Sequence, residues 1–174
     1  LYQEWFVRLR FPGHEHSKIV DGVPEGWKVG KIEDIALLLH GFAFKSKDWQ
    51  DFGSPVIKIK NIVGDGSISI NNCDKVDQSV VEKASKFIIK PGSLLIAMTG
   101  ATIGKIGIMP NVKNESYLNQ RVGVFKEKSI PEISLFLYTF FSTNVSQEVI
   151  TNLASGAAQP NISGKQIESI ELLI

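Results

Sequence analysis

Residues 98–105, Met-Thr-Gly-Ala-Thr-Ile-Gly-Lys, bring two threonine hydroxyls, two glycines and a lysine into eight positions, the residue types of a phosphate-binding loop. A Walker-type loop needs four residues between its glycines, then Lys, then a Ser or Thr for magnesium, then a helix facing the phosphates. Here three residues separate Gly100 from Gly104, Ile106 follows Lys105, and the next residues alternate toward Pro110 as a strand does. The spacing favours a β-hairpin: 93–98 climbs, the turn uses two glycines able to take positive φ, and 106–109 returns. A nucleotide-binding enzyme using the Gly100–Lys105 turn is kept as an alternative. Asn119, Gln120 and Arg121 form the densest polar group in the chain.

Other chemistry finds little material. Nucleophilic catalysis has only His14, His16, His40 and the lone Cys73 to draw on, none in a nucleophile motif. A magnesium nuclease would show an acid with Lys two positions on, and no Asp or Glu here has one; an adenine methyltransferase would show adjacent prolines, and there are none. Glu33 and Asp34 read as a solvated turn in preference to an acid/base pair. One cysteine excludes an internal disulfide and a cysteine-rich zinc site, and the His14/His16 pair sits in a Pro/Gly-flanked loop without a third ligand. No catalytic residue, metal or cofactor is expected.

The elements that must position these residues follow from the hydropathy pattern. At 174 residues, 43% hydrophobic and 21% charged, the chain is long enough for one good core. Its apolar runs fall short of a membrane span and no basic-then-apolar leader opens it, so no membrane partner and a cytoplasmic location are expected. Net charge is +1, but Lys86 to Lys128 carries seven Lys or Arg against two acids, while 129 onward carries Lys165 against four glutamates. That polarity suits an anionic ligand on one face, and a solvated hairpin gives the same count. Helical spacing of Leu1, Trp5, Phe6 and Leu9 stops at Pro12 and Gly13. Strand patterns follow in 27–40, 55–62, 66–71, 86–98, 105–110 and 121–126. Residues 130–153 read as one or two helices whose Phe136, Phe140 and Phe141 face the core, and Ser163 caps a short helix.

Several segments taken in order resemble one family, the specificity subunits of type I restriction-modification systems. PEGWKVGKIEDI resembles the opening of a target recognition domain, with GFAFKSKDW and PVIKIKNI after it. KPGSLLIAMTGATIGKIGIM is similar to the central hairpin, YLNQRVGVF to the next strand, and SGAAQPNISGKQIESIELLI to the exit into a helix. LYQEWFVRLRFPG is similar to the end of a preceding spacer helix. The resemblance implies an α+β fold, mixed and largely antiparallel, with C-terminal helices and stubs of spacer helices at both ends. The expected division is 1–20 for the end of a spacer helix and linker, 21–160 for the target recognition domain, and 161–174 for the start of the following spacer helix. It also implies a non-catalytic module reading one half of a bipartite site in double-stranded DNA, for methyltransferase subunits and an ATP-dependent restriction subunit that hold the activity.

On that reading a two-stranded ribbon enters a major groove. Thr99 and Thr102 reach a base edge or phosphate and Lys105 supplies charge, or the threonines satisfy the turn's own backbone. Gln120 and Asn119 suit adenine and Arg121 guanine, or they brace the hairpin. Lys45, Lys47, Lys58 and Lys60 alternate in FKSK and KIKN, so each pair points to one side of an extended segment toward phosphates or solvent. Gln159 and Asn161 stand before the Ser163 cap, where loop bonding competes with base reading. A protein-interaction scaffold that does not bind DNA is the other alternative.

Overall fold

A computed structural model describes residues 2–128, 132–154 and 160–174. The chain opens with a short helical segment, Gln3–Val7, and a hairpin of β1 (Ile19–Val20) and β2 (Val23–Pro24). There follow β3 (Val29–Lys31), a one-turn helix α1 (Ile32–Ile35), β4 (Ala36–His40), β5 (Trp49–Gln50), β6 (Ser54–Ile57), β7 (Gly66–Ser67) and β8 (Asp74–Val76). After α2 (Gln78–Lys83) come β9 (Ile88–Ile89), β10 (Leu94–Ala97), β11 (Ile106–Ile108), β12 (Ser116–Leu118) and β13 (Val122–Glu127). Helices α3 (Ile133–Phe141), α4 (Asn144–Leu153) and α5 (Gly164–Glu168) precede β14 (Glu171–Leu173).

Two five-stranded sheets carry the fold, in the orders β4-β13-β10-β11-β7 and β5-β8-β6-β12-β9. Pairing is antiparallel except for β11 with β7 and β12 with β6, so the sheets are mixed and largely antiparallel. β10 is the central strand of its sheet and buried on both faces. Leu94, Ile96 and Met98 pack toward α3, α4 and α5, while Leu95 and Ala97 meet Ile57, Ile89 and Leu118 of the other sheet. That double burial explains why residues 94–98 form an unbroken apolar run where a half-exposed strand would alternate. Phe140 and Phe141 are buried in the helical layer and Phe136 packs against it, as their spacing foretold.

Helix starts are set by local chemistry. The Thr143 hydroxyl accepts from Ser146 N–H at the head of α4, and at α5 Ser163 accepts from Gln166 N–H while Gln166 Oε1 accepts from Ser163 N–H. After α5 the chain turns back as β14 on β3, pairing Leu172 with Gly30, so the last residues extend the β framework and the helical exit within this chain is limited to α5.

Two strand readings are corrected. Residues 27–40 are not one strand: α1 interrupts them, its first turn tied by Asp34 Oδ2 accepting from Lys31 N–H at 2.7 Å. Neither FKSK nor KIKN is extended. Lys45 and Lys58 each stand at the head of a three-residue 3-10 turn, Ser46–Asp48 and Ile59–Asn61, with Lys47 and Lys60 inside. Asp48 and Asn61 accept from the Lys45 and Lys58 amides, so local side-chain bonding displaces the strand pattern.

Candidate nucleic-acid interface

Beyond β10 the chain stays extended through Thr99 (φ −145°, ψ 158°) and is flanked on both sides by other segments. Met98 N–H donates to the Arg121 carbonyl (3.1 Å), and the Met98 carbonyl accepts from Ile162 N–H (3.0 Å). Gly100 N–H donates to the Pro160 carbonyl (2.9 Å), and Thr99 pairs with Asn161 in an antiparallel bridge. Three segments distant in sequence, 98–100, 119–121 and 160–162, are thereby locked side by side.

The 119–121 turn has its own clamp. Phe42 N–H donates to the Leu118 carbonyl, Gln120 N–H to the Phe42 carbonyl, and Asn119 N–H to the Ile57 carbonyl, at 2.7, 2.9 and 3.0 Å. Gly41 permits the approach: a Cβ there would overlap the Leu118 carbonyl oxygen. Asn119 lies beneath this turn, 7% exposed, with Oδ1 accepting from Arg121 N–H at 3.3 Å. Its side chain braces the turn and is not presented at the surface.

An open cavity of about 350 Å³ results, lined by Thr99, Gln120, Arg121, Pro160 and Asn161. No acid lines it. Gln120, Arg121 and Asn161 are exposed, and among the described residues the Arg121 guanidinium has no ion-pair partner. Two amides, each both donor and acceptor, beside a planar cationic fork match the hydrogen-bonding edges of bases and the charge of phosphates. Of the residues singled out in the sequence, Thr99, Gln120, Arg121 and Asn161 are brought together here, and Gln159 lies outside the described residues.

The others lie elsewhere. The hairpin is present: β10 pairs with β11, and Gly100 and Gly104 take φ of +76° and +81°. Since the turn leads into a strand, no helix N-terminus faces it, and a phosphate loop has no support. Lys105 is exposed and lines a separate cavity of about 320 Å³ with Asp65, Tyr138 and Gln147. The Thr102 side chain is half-buried, and its Oγ1, like that of Thr99, is enclosed without a hydrogen-bond partner among the described residues. Lys58 and Lys60 converge on one carboxylate, Asp74, each at 2.7 Å, and Lys58 also stands 4.2 Å over the Trp49 ring. Hydrogen bonds first from Lys58, then from Lys60, hold the Asp74 carboxyl below its usual range. Lys45 and Lys47 are exposed, without ion pairs among the described residues. Lys90 and Lys126 of the basic middle line a further cavity of about 600 Å³.

Three structural residues were not anticipated. Gln147 of α4 donates through Nε2 to the Gly104 and Phe141 carbonyls (3.1 and 2.7 Å), fixing the hairpin turn on the helical layer. Buried Glu168 accepts from Leu38 N–H (2.9 Å) at the free edge of β4 and pairs with Lys165 at 3.2 Å. Pro160 supplies the carbonyl that holds Gly100. The Gln147–Gly104, Glu168–Leu38 and Pro160–Gly100 contacts each span more than 40 residues of sequence, and no periodicity signals such partners. Among the described residues there is no acid, His or Cys cluster able to hold a metal, and no helix long and apolar enough to cross a membrane.

The fold and site together define a domain of two packed mixed sheets carrying an acid-free polar cavity beside its central hairpin. The chain belongs to the type I restriction modification DNA specificity domain family, whose model matches residues 24–174. It is 28% identical over 153 residues to the type I restriction enzyme MjaVIII specificity subunit of Methanocaldococcus jannaschii, an alignment covering 86% of this chain and 36% of that one. The MjaIX specificity subunit of the same organism is 22% identical over 173 residues, 97% of this chain and 38% of that one. The chain thus spans little more than a third of these relatives. In solved structures the fold recurs in the S subunit from M. genitalium (TM-score 0.55, 14% identity, 90% of this chain and 36% of that one). It recurs also in the HsdS subunit from Thermoanaerobacter tengcongensis (TM-score 0.60, 16% identity, 87% and 34%).

Proposed function

We propose that this chain is the target recognition domain of a type I specificity subunit and reads one half of a bipartite site in double-stranded DNA. The observation that carries the reading is the cavity in which Gln120, Arg121 and Asn161 stand exposed together beside the hairpin with no acid among its lining residues. Arg121 suits the O6/N7 edge of guanine, and the amides of Gln120 and Asn161 suit adenine. Exposed Lys45, Lys47 and Lys105 supply sequence-independent phosphate attraction. Lys58 and Lys60 share Asp74, so together with it they offer one net positive charge.

In this reading residues 1–20 close a preceding spacer helix and linker, 21–160 recognise DNA, and 161–174 lead toward the next spacer helix. Methyltransferase subunits and an ATP-dependent restriction subunit carry the catalysis, the chain itself is non-catalytic, and the complex works in the cytoplasm. A titration of the intact protein against duplex DNA over a series of salt concentrations tests it. Binding should weaken with salt by roughly 0.9 in log K per log salt for each phosphate neutralised. Absence of binding at low salt would contradict the reading.

A further inference from the structure

The Thr99 hydroxyl is in an unusual position for a residue at the edge of a polar cavity. The residue lines that cavity, yet Oγ1 is enclosed by protein and has no hydrogen-bond partner among the described residues. Thr99 stands at the N-cap of the 3-10 turn Gly100–Thr102, where a hydroxyl ordinarily accepts from a turn amide, but it makes no such bond. Of the neighbouring amides, Gly100 N–H donates to Pro160, Ile103 N–H to Gly100 and Met98 N–H to Arg121. An enclosed hydroxyl without a partner destabilises the free protein, and native structures retain few of them without a reason.

Resting on the DNA-reading function above, we propose that Thr99 is a DNA-contacting residue whose hydroxyl is recruited by a hydrogen-bond acceptor of the duplex. Because Thr99 lines the same cavity as Gln120, Arg121 and Asn161, a staggered rotation about χ1 is the motion by which Oγ1 would leave its enclosed well for that cavity. There an acceptor atom of the duplex, on a base edge or a phosphate, completes the hydrogen bond that the free protein lacks. Binding is favoured twice by the same motion, since it adds a contact and removes a buried unsatisfied group. The rigid frame of bridges on either side of Thr99 confines the change to one side chain.

Thr99→Val in the intact protein is the decisive variant, because it keeps the shape, removes the hydroxyl and suits the extended backbone. Without DNA, its melting temperature should hold or rise by about 2–4 °C. Its affinity for target duplex should fall about tenfold, and Thr99→Ser, which restores a hydroxyl, should recover most of the loss. Ser116 Oγ in β12 also lacks a partner among the described residues but lies outside the cavity, so Ser116→Ala should leave DNA affinity unchanged. A loss confined to one base position assigns the acceptor to a base edge, and a uniform loss assigns it to a phosphate; either upholds recruitment. Wild-type affinity in Thr99→Val, a lowered melting temperature, or an equal loss in Ser116→Ala would overturn it while leaving the DNA-reading function intact. Failure of the wild-type protein to bind duplex DNA would instead remove that function and the inference with it.

Discussion

Arg121 owes its position to its backbone, and among the described residues its guanidinium has no ion-pair partner. The Arg121 amide is held by Asn119 and its carbonyl by Met98, while the side chain extends into an acid-free cavity. Truncation to alanine should therefore change stability by no more than ordinary surface substitutions do, about ±0.5 kcal/mol, and leave the melting temperature nearly unchanged. Its cost should appear as lost discrimination at one base position. Asn119→Ala should behave oppositely, since it removes a buried brace: thermal melting should drop and binding should weaken for every sequence alike. The prominence of 119–121 was readable as a polar run after a strand. The division of labour within it was not, because it depends on residues 42 and 57 closing over 118–120.

At the same scale, Asp74 links stability to pH. Its carboxyl is held below the usual value by Lys58 and Lys60, so the fold favours the ionised form. That contribution is complete above the unfolded-state value of about 3.9 and is lost as pH falls through the lower folded value. Asp74→Asn should lower the melting temperature near neutrality, and the gap from wild type should narrow below about pH 4. A gap that widened with acid would reverse the assignment. Charge alternation had suggested lysines arrayed on a strand face, but two 3-10 turns and one shared carboxylate set their directions instead.

Among the elements, the hairpin was the most legible, because its apolar run, paired glycines and returning alternation are local signals. β10 is unbroken in hydropathy because it is covered on both faces, and the turn glycines take the positive φ their spacing suggested. The α1 interruption and the assignment of strands to two sheets were hidden, since short strands of two to six residues take their partners from distant chain. The crossing at Gly41 is the most sensitive of these contacts. Gly41→Ala would force the backbone away from Leu118, and overpacking of this kind costs about 1–3 kcal/mol. Denaturant unfolding should show that loss, accompanied by weaker DNA binding as the 119–121 turn shifts. Wild-type stability in Gly41→Ala would mean that the turn is held by other contacts.

At the scale of the whole molecule, composition and a net charge of +1 say little about a ligand, and the basic middle of the chain is spread over more than one surface. The acid-free cavity is assembled from three segments that span 98 to 162, which is why its outline could not be drawn from spacing while its individual residues could. The central claim, that this assembly reads sequence, is tested most directly by the binding profile of the intact protein over duplexes with a randomised half-site, measured for wild type and Arg121→Ala. A defined preference in wild type, relaxed in the variant at a single base position by about 1–3 kcal/mol with melting temperature preserved, is the expected result. A flat wild-type profile, or a variant whose profile is unchanged in shape and only weaker throughout, would contradict sequence reading by this cavity.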